Sequence, residues 1–128
     1  MKILGIGVDI VETARIEHSI ERFGERFIRR VFTETEAAYC RSMKFAARHF
    51  AARFAAKEAV SKAFGTGIGN PIAWTDIEVC HHETGAPFCM LHGGAAALAE
   101  ERFVTEVHIS LSHADHYAAA NAVIVAGK

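Results

Sequence analysis

Proline is scarce in this chain, two in 128 residues, and there are no linkers, internal repeats or low-complexity tracts. A string of tethered modules is therefore excluded, and one domain is expected over 1–128. Cysteine is scarce and odd in number: Cys40, Cys80 and Cys89 follow no framework spacing. That argues against a disulfide-stapled secreted scaffold and for reduced thiols, so a cytoplasmic location is expected. The first residues, MKILGIGVDIVE, are broken by Asp9 too early for a signal peptide. No run approaches the roughly 18 apolar residues of a membrane span. Charge of one sign is missing as well. Fourteen basic against fifteen acidic residues leave a net charge of −1, which gives no global pull toward nucleic acid or membrane. Any charged partner must be recognised by a local patch.

What is present is apolar material, 51% of the residues, enough for a real core. Residues 2–11 alternate as a strand, with Ile6, Val8 and Ile10 on one side. Thr13 is placed to cap a helix over about 14–23, which Gly24 stops or kinks. The stretch TETE, 33–36, is a capping box opening a helix over about 34–43. A long helix follows over about 46–64, with Gly65 as its C-cap and GTGIGNP as loop. Strands are predicted over 75–82 and 87–91 around the turn ETGA, then a short helix in GGAAALAEERF. EVHISLSH and YAAANAVIVA complete the strands. The expected fold is α+β: a single domain with a mostly antiparallel sheet packed by a long Ala-rich helix.

That long helix is unusual. At about 100° per residue, Ala52, Ala55, Ala56, Ala59, Val60 and Ala63 fill one broad side suited to a sheet. The other side mixes Phe50, Phe54 and Phe64 with Arg53, Lys57, Glu58, Ser61 and Lys62. A simple surface helix would segregate them. One reading is snorkelling lysines with a Glu58–Lys62 pair. The other is a lined cleft, with Glu58 as a metal ligand, Lys62 as a phosphate cation and Lys57, Ser61 and Arg53 as further donors. GTGIG follows its helix, so it is not a P-loop, and capping explains most of its glycines.

Asp9 stands in an apolar strand, on the same face as Gly5, Gly7 and Val11. A buried carboxylate needs a partner or a metal, unless it caps the next helix. The glycines beside it are expected to leave space for a ligand. SLSH, 110–113, places Ser112 and His113 at a strand end, where a histidine is structural or functional. Cys80, His81, His82, Cys89 and His92 raise zinc, but their spacing matches no standard site.

Taken together, GIGVDIVETARI (5–16), FAAKEAVSKAFGTGIG (54–69) and SLSH (110–113) resemble the holo-[acyl-carrier-protein] synthases, the short, single-domain phosphopantetheinyl transferases. The resemblance runs nearly end to end. It implies transfer of 4′-phosphopantetheine from coenzyme A to a serine of an apo acyl carrier protein, releasing adenosine 3′,5′-bisphosphate, in support of fatty acid biosynthesis. It implies Mg²⁺ on Asp9 and Glu58. Lys62, Ser61, Gly65 and His113 match positions around coenzyme A, and Arg53 and Lys57 are expected to serve its phosphates. Ala114 departs from the hydroxyl residue often found after the histidine. The resemblance also implies a homotrimer with active sites at subunit boundaries.

The chemistry suits those residue types. Magnesium keeps several waters, so two carboxylates plus phosphate oxygens suffice. A lysine offsets charge on the leaving group, and Glu58 is the candidate proton acceptor for the carrier serine. A coenzyme A or nucleotide-binding module without transfer activity would not need both Asp9 and Glu58. A purely structural oligomerising domain would not place ionisable groups among phenylalanines.

Residues 14–31 are expected to dock the acidic carrier protein. If the helix runs through Gly24, Arg15, Arg22, Arg26 and Arg29 fall within about 60° of one another. Ile16, Ile20, Phe23, Phe27 and Val31 then form the core-facing stripe.

Overall fold

The computed structural model describes residues 1–127. Its elements are β1 (Lys2–Glu12), α1 (Thr13–Phe23), α2 (Glu25–Val31), α3 (Glu34–Ser42), α4 (Ala46–Phe64), β2 (Ile77–His81), β3 (Pro87–Leu91), α5 (Gly93–Glu101), β4 (Val104–His113) and β5 (Tyr117–Ala126). One turn of 3₁₀ helix, Trp74–Asp76, leads into β2. The strands form two antiparallel sheets, β1-β5-β4 and the hairpin β2-β3. The α+β class stands. The hairpin is a sheet of its own, and its first strand is shorter than expected because the 3₁₀ turn takes its start.

Helix α4 lies across the inner face of the three-stranded sheet, and its alanine side explains how closely. Ala52, Ala55, Ala56, Ala59, Val60 and Ala63 are all buried. The sheet answers with Gly5 and Gly7. A Cβ on Gly5 would stand 1.8 Å from the Ala63 carbonyl oxygen, and one on Gly7 1.9 Å from that of Ala59. The glycines therefore admit the helix backbone, not a ligand as the sequence suggested. The register sets Asp9, Ala120 and Leu111 side by side, and next to them Val11, Ala118 and His113.

The mixed side of α4 is buried too. Phe50, Phe54 and Phe64 pack in the core, and Arg53, Lys57 and Ser61 lie there with them. The outer face of the sheet is the reverse: Ile6, Val8 and Ile10 are each about two-thirds exposed, at 67%, 66% and 66%.

The α1–α2 region departs from expectation. Thr13 is the first residue of α1, behind Glu12 as cap, and its hydroxyl caps nothing. Gly24, at φ 56° and ψ −135°, ends α1 through its N–H to the Ile20 carbonyl, and α2 starts afresh. Only a residue without a Cβ holds such an angle cheaply. A single helical count through 14–31 thus fails at Gly24. Ile16 and Val31 are buried, whereas Phe23, expected in the core, is half exposed. The Thr33–Glu36 capping box forms as read from the sequence.

Candidate active site

β1 and α4 bring Asp9, Glu58 and Lys62 together. Glu58 and Lys62 are one turn apart, on the helix edge that overlooks β1. Lys62 Nζ lies 2.9 Å from Asp9 Oδ1 and donates to the Val8 carbonyl at 3.2 Å. The lysine pairs with the strand carboxylate, not with Glu58 as the sequence allowed. Glu58 is half-buried. Burial raises its pKa above the ordinary carboxylate value, the neighbouring Asp9 charge adds to that, and Lys62 and Arg15 oppose it. Two carboxylates share a partly dry corner, with Lys62 paired to Asp9 and Arg15 within electrostatic reach of Glu58, and a hard divalent cation would add to that positive charge.

The corner opens on a cleft of about 510 Å³ lined by Arg30, Glu58, Ile68, Gly69, Ala73 and Trp74. Gly65 caps α4 in the left-handed conformation, at φ 82°, and turns the chain into the loop that supplies Ile68 and Gly69. A second groove of about 440 Å³ runs between α1 and α2 and is lined by Ser19, Phe23, Arg26, Phe27 and Arg30. Arg30 lines both. The helical count leaves it just outside the arginine line, about 40° past Arg26.

The expected arginine line does not survive the break at Gly24. Arg15 stands 5.7 Å from the centre of the Phe54 ring and is one of the charges felt by Glu58. Arg22 sits over Phe23, Arg26 lines the groove, and Arg29 is exposed outside it.

Three other expected contacts lie elsewhere. Lys57, expected at a phosphate, is fully buried. Its ammonium donates to Glu36 Oε1 at 2.8 Å and to the carbonyls of Trp74 and Ile77. With three donors and three acceptors it has nothing left for a phosphate. Burial lowers its pKa, and Glu36 opposes that. Ser61 is buried, and its hydroxyl donates to the Glu58 carbonyl, so it does not face coenzyme A here. Arg53 leaves α4 on the side away from Glu58. It bonds the His49 carbonyl at 3.1 Å and His81 Nε2 at 3.0 Å, and lies over the Tyr39 ring.

Arg53 is not idle there. It lines a pocket of about 200 Å³ with Tyr39, His49, His81, Pro87 and His113. The His49 and His113 rings meet at 4.8 Å, and Arg53 Nε is buried without a partner. Burial lowers the pKa of His49, helped by His113, Arg53 and His81. Burial and Arg53 lower that of His81. One guanidinium and three imidazoles gather here with no carboxylate among the lining residues, which is a setting for an anion. His49 carries no motif and His81 stood out only as a candidate zinc ligand, and the packing of α4 against β2 and β4 brings them together here.

The cysteine–histidine group does not converge: His92 bonds Glu78, His81 bonds Arg53, and His82 stacks on Phe88. Among the described residues no group of three or more His, Cys, Asp or Glu is placed to hold a metal. No described helix is long and apolar enough to cross a membrane.

The family model for the 4′-phosphopantetheinyl transferase superfamily matches residues 5–122. The holo-[acyl-carrier-protein] synthase of Koribacter versatilis is 47% identical over 122 residues, covering 95% of this chain and 98% of that one. The crystal structure of holo-[acyl-carrier-protein] synthase from Neisseria meningitidis matches with a TM-score of 0.90 at 32% identity, over 97% of this chain and 99% of that chain. That of the Bacillus anthracis holo-(acyl-carrier-protein) synthase, in complex with CoA (3′,5′-ADP), matches at 0.82 with 36% identity, over 98% of each chain.

Proposed function

The chain belongs to the 4′-phosphopantetheinyl transferase superfamily, with the holo-[acyl-carrier-protein] synthases, and from that premise we propose that it moves 4′-phosphopantetheine from coenzyme A to a serine of an apo acyl carrier protein, releasing adenosine 3′,5′-bisphosphate. The observation that carries this reading is the corner where Asp9, Glu58 and Lys62 meet beside the cleft. Mg²⁺ fits it: two hard oxygen donors repel each other there, and magnesium needs few protein carboxylates when phosphate oxygens complete its shell. Asp9 and Glu58 would hold the ion, which would supply charge to neutralise the diphosphate and polarise its phosphorus. The raised pKa of Glu58 suits it to accept the serine proton, directly or through a water. Lys62, half exposed, is free to swing from Asp9 and offset the charge that builds on the departing phosphate.

The Arg53–His113 pocket serves a second phosphate of coenzyme A. It lies across α4 from Glu58, so one chain does not present both ends of the site to one ligand. A homotrimer resolves this by setting the pocket of one subunit against the cleft of the next. The exposed stripe Ile6, Val8 and Ile10 supports such an assembly, since a monomer gains nothing by holding it in water. The carrier protein, strongly acidic in this reading, docks on the α1–α2 groove. Phe23 and Phe27 give it an apolar seat, and Arg22, Arg26 and Arg30 meet its charge. The setting is the cytoplasm, and the product serves fatty acid biosynthesis.

The test is incubation with coenzyme A, magnesium and an apo acyl carrier protein, read by intact mass. Addition of one phosphopantetheine to the carrier, dependent on magnesium, is the expected result. Binding of coenzyme A without any mass gain would leave a binding module instead.

A further inference from the structure

We propose that the buried Lys57–Glu36 pair is a positioning device for the reaction, holding the Trp74 wall of the cleft at a set distance from Glu58. The inference rests on the transferase reading above. Lys57 immediately precedes Glu58, and the two side chains leave α4 about 100° apart, one into the core and the other to the cleft. Lys57 Nζ grips the Trp74 carbonyl at 3.1 Å and the Ile77 carbonyl three residues on. Its third proton goes to Glu36 Oε1, whose other oxygen accepts the Val79 N–H at 2.7 Å. Glu36 also accepts the Thr33 N–H at 2.9 Å. Two buried side chains thus tie α3, α4 and the whole stretch from Trp74 to Val79 into one body.

Stability alone does not call for this arrangement. A buried ion pair is often no better than apolar side chains of the same volume, because both charges lose their water. What apolar side chains cannot do is hold two particular carbonyls and an N–H. Those groups belong to the segment whose Trp74 ring faces Glu58 across the cleft and packs at 4.7 Å on Phe54. Arg15, one of the charges acting on Glu58, lies over the same Phe54. The wall and the helix turn that bears the carboxylate are held from one buried point, and the arginine rests on the Phe54 ring that the wall also touches. Small misplacements at a reacting centre cost rate out of proportion to their size.

The chain has a single tryptophan, so Trp74 emission reports on the wall directly. The primary variant is the double substitution Lys57→Met with Glu36→Leu, which removes both charges and keeps the volume. Its thermal midpoint should fall, because the Trp74 and Ile77 carbonyls and the Val79 N–H lose their partners, so rates are read well below that midpoint. Its kcat should fall by about tenfold or more, with KM for both substrates within about threefold, because the cleft remains but its wall has lost register. Acrylamide should quench Trp74 more readily, and magnesium affinity should not change. Should the double variant not fold, Lys57→Arg decides. It keeps the charge, but a planar guanidinium cannot direct three donors as the ammonium does, so kcat and quenching should move the same way. Wild-type kcat and wild-type quenching in the folded variant overturn the proposal. Absence of transfer by the wild-type enzyme would instead overturn the reaction assigned above, and the quenching arm would still decide whether the pair holds the wall.

Discussion

The two flanks of α4 carry opposite chemistry on one helix. Toward β1, Asp9 and Glu58 gather negative charge with Lys62 between strand and helix. Toward β2 and β4, Arg53 gathers three imidazoles and no carboxylate. Burial acts on both flanks but pushes them in opposite directions along pH. It raises the pKa of Glu58 and lowers those of His49 and His81. In each case the group tends to neutrality until a counter-charge arrives. The lesson is that a helix polar on two sides need not be a surface helix. In the proposed reaction each flank is completed by something of the opposite sign, a cation on one side and an anion on the other.

The comparison is broken most forcefully at the carboxylates. Asp9→Ala or Glu58→Ala should cut turnover by about a thousandfold while the fold survives, and magnesium titration should show weakened binding. Normal metal affinity in both variants would remove the cation from that flank. On the other flank the effect should be smaller and of another kind. His113→Ala should raise KM for coenzyme A by about tenfold, or roughly 1.4 kcal/mol, with kcat little changed. An unchanged KM would leave that pocket a packing motif.

Stability against pH sharpens the contrast without substrate. Glu58 has a raised folded pKa, so its contribution to stability is present below the unfolded value and is lost as pH rises through the folded one. Glu58→Gln should therefore raise the thermal midpoint by a few degrees at neutral pH, and the gain should vanish in acid. His49 has a lowered folded pKa, so its contribution is present above the unfolded value and fades as pH falls through the folded one. His49→Phe should flatten the loss of stability between neutral and mildly acid pH. Calorimetry across that range checks both, and slopes of the same sign would contradict the assignment of opposite characters.

The smallest effect lies away from both flanks. Arg22→Glu or Arg26→Glu should raise KM for the carrier protein severalfold at low salt and flatten its salt dependence, because rim charges act mainly on encounter and are screened. KM for coenzyme A should stay put. An unaltered carrier KM at low salt would move the docking surface elsewhere.

Much of the fold was legible because its signals are local. The capping box at Thr33 and Glu36, the span of α4 and its Gly65 cap depend on neighbours within one turn, and the structure has them where the sequence placed them. Gly24 shows the limit of that reasoning. Composition allowed a stop or a kink, and the arginine line assumed the kink. A φ of 56° with ψ of −135° makes it a stop, so the angles counted across it lost their basis, although Val31 is buried as that count placed it. Arg30, one turn after Arg26 on α2, was left out because it fell just beyond the line of about 60°.

From the sequence alone came the residue types and their order: a carboxylate among glycines in the first strand, and a glutamate and a lysine one turn apart on an alanine-rich helix. Those facts are chemical and periodic, and need no partner from afar. Tertiary structure decided which charges are sealed in the core and which stay open at the surface. Lys57 and Lys62 stand five residues apart in one motif and look alike on the page. One is sealed against Glu36, twenty-one residues away, and the other reaches Asp9, fifty-three away. Likewise the glycines beside Asp9 read as open space until the carbonyls of Ala59 and Ala63 were found filling it. Burial is a property of long-range packing, and it is burial that separates a buried tie from a group free to meet substrate.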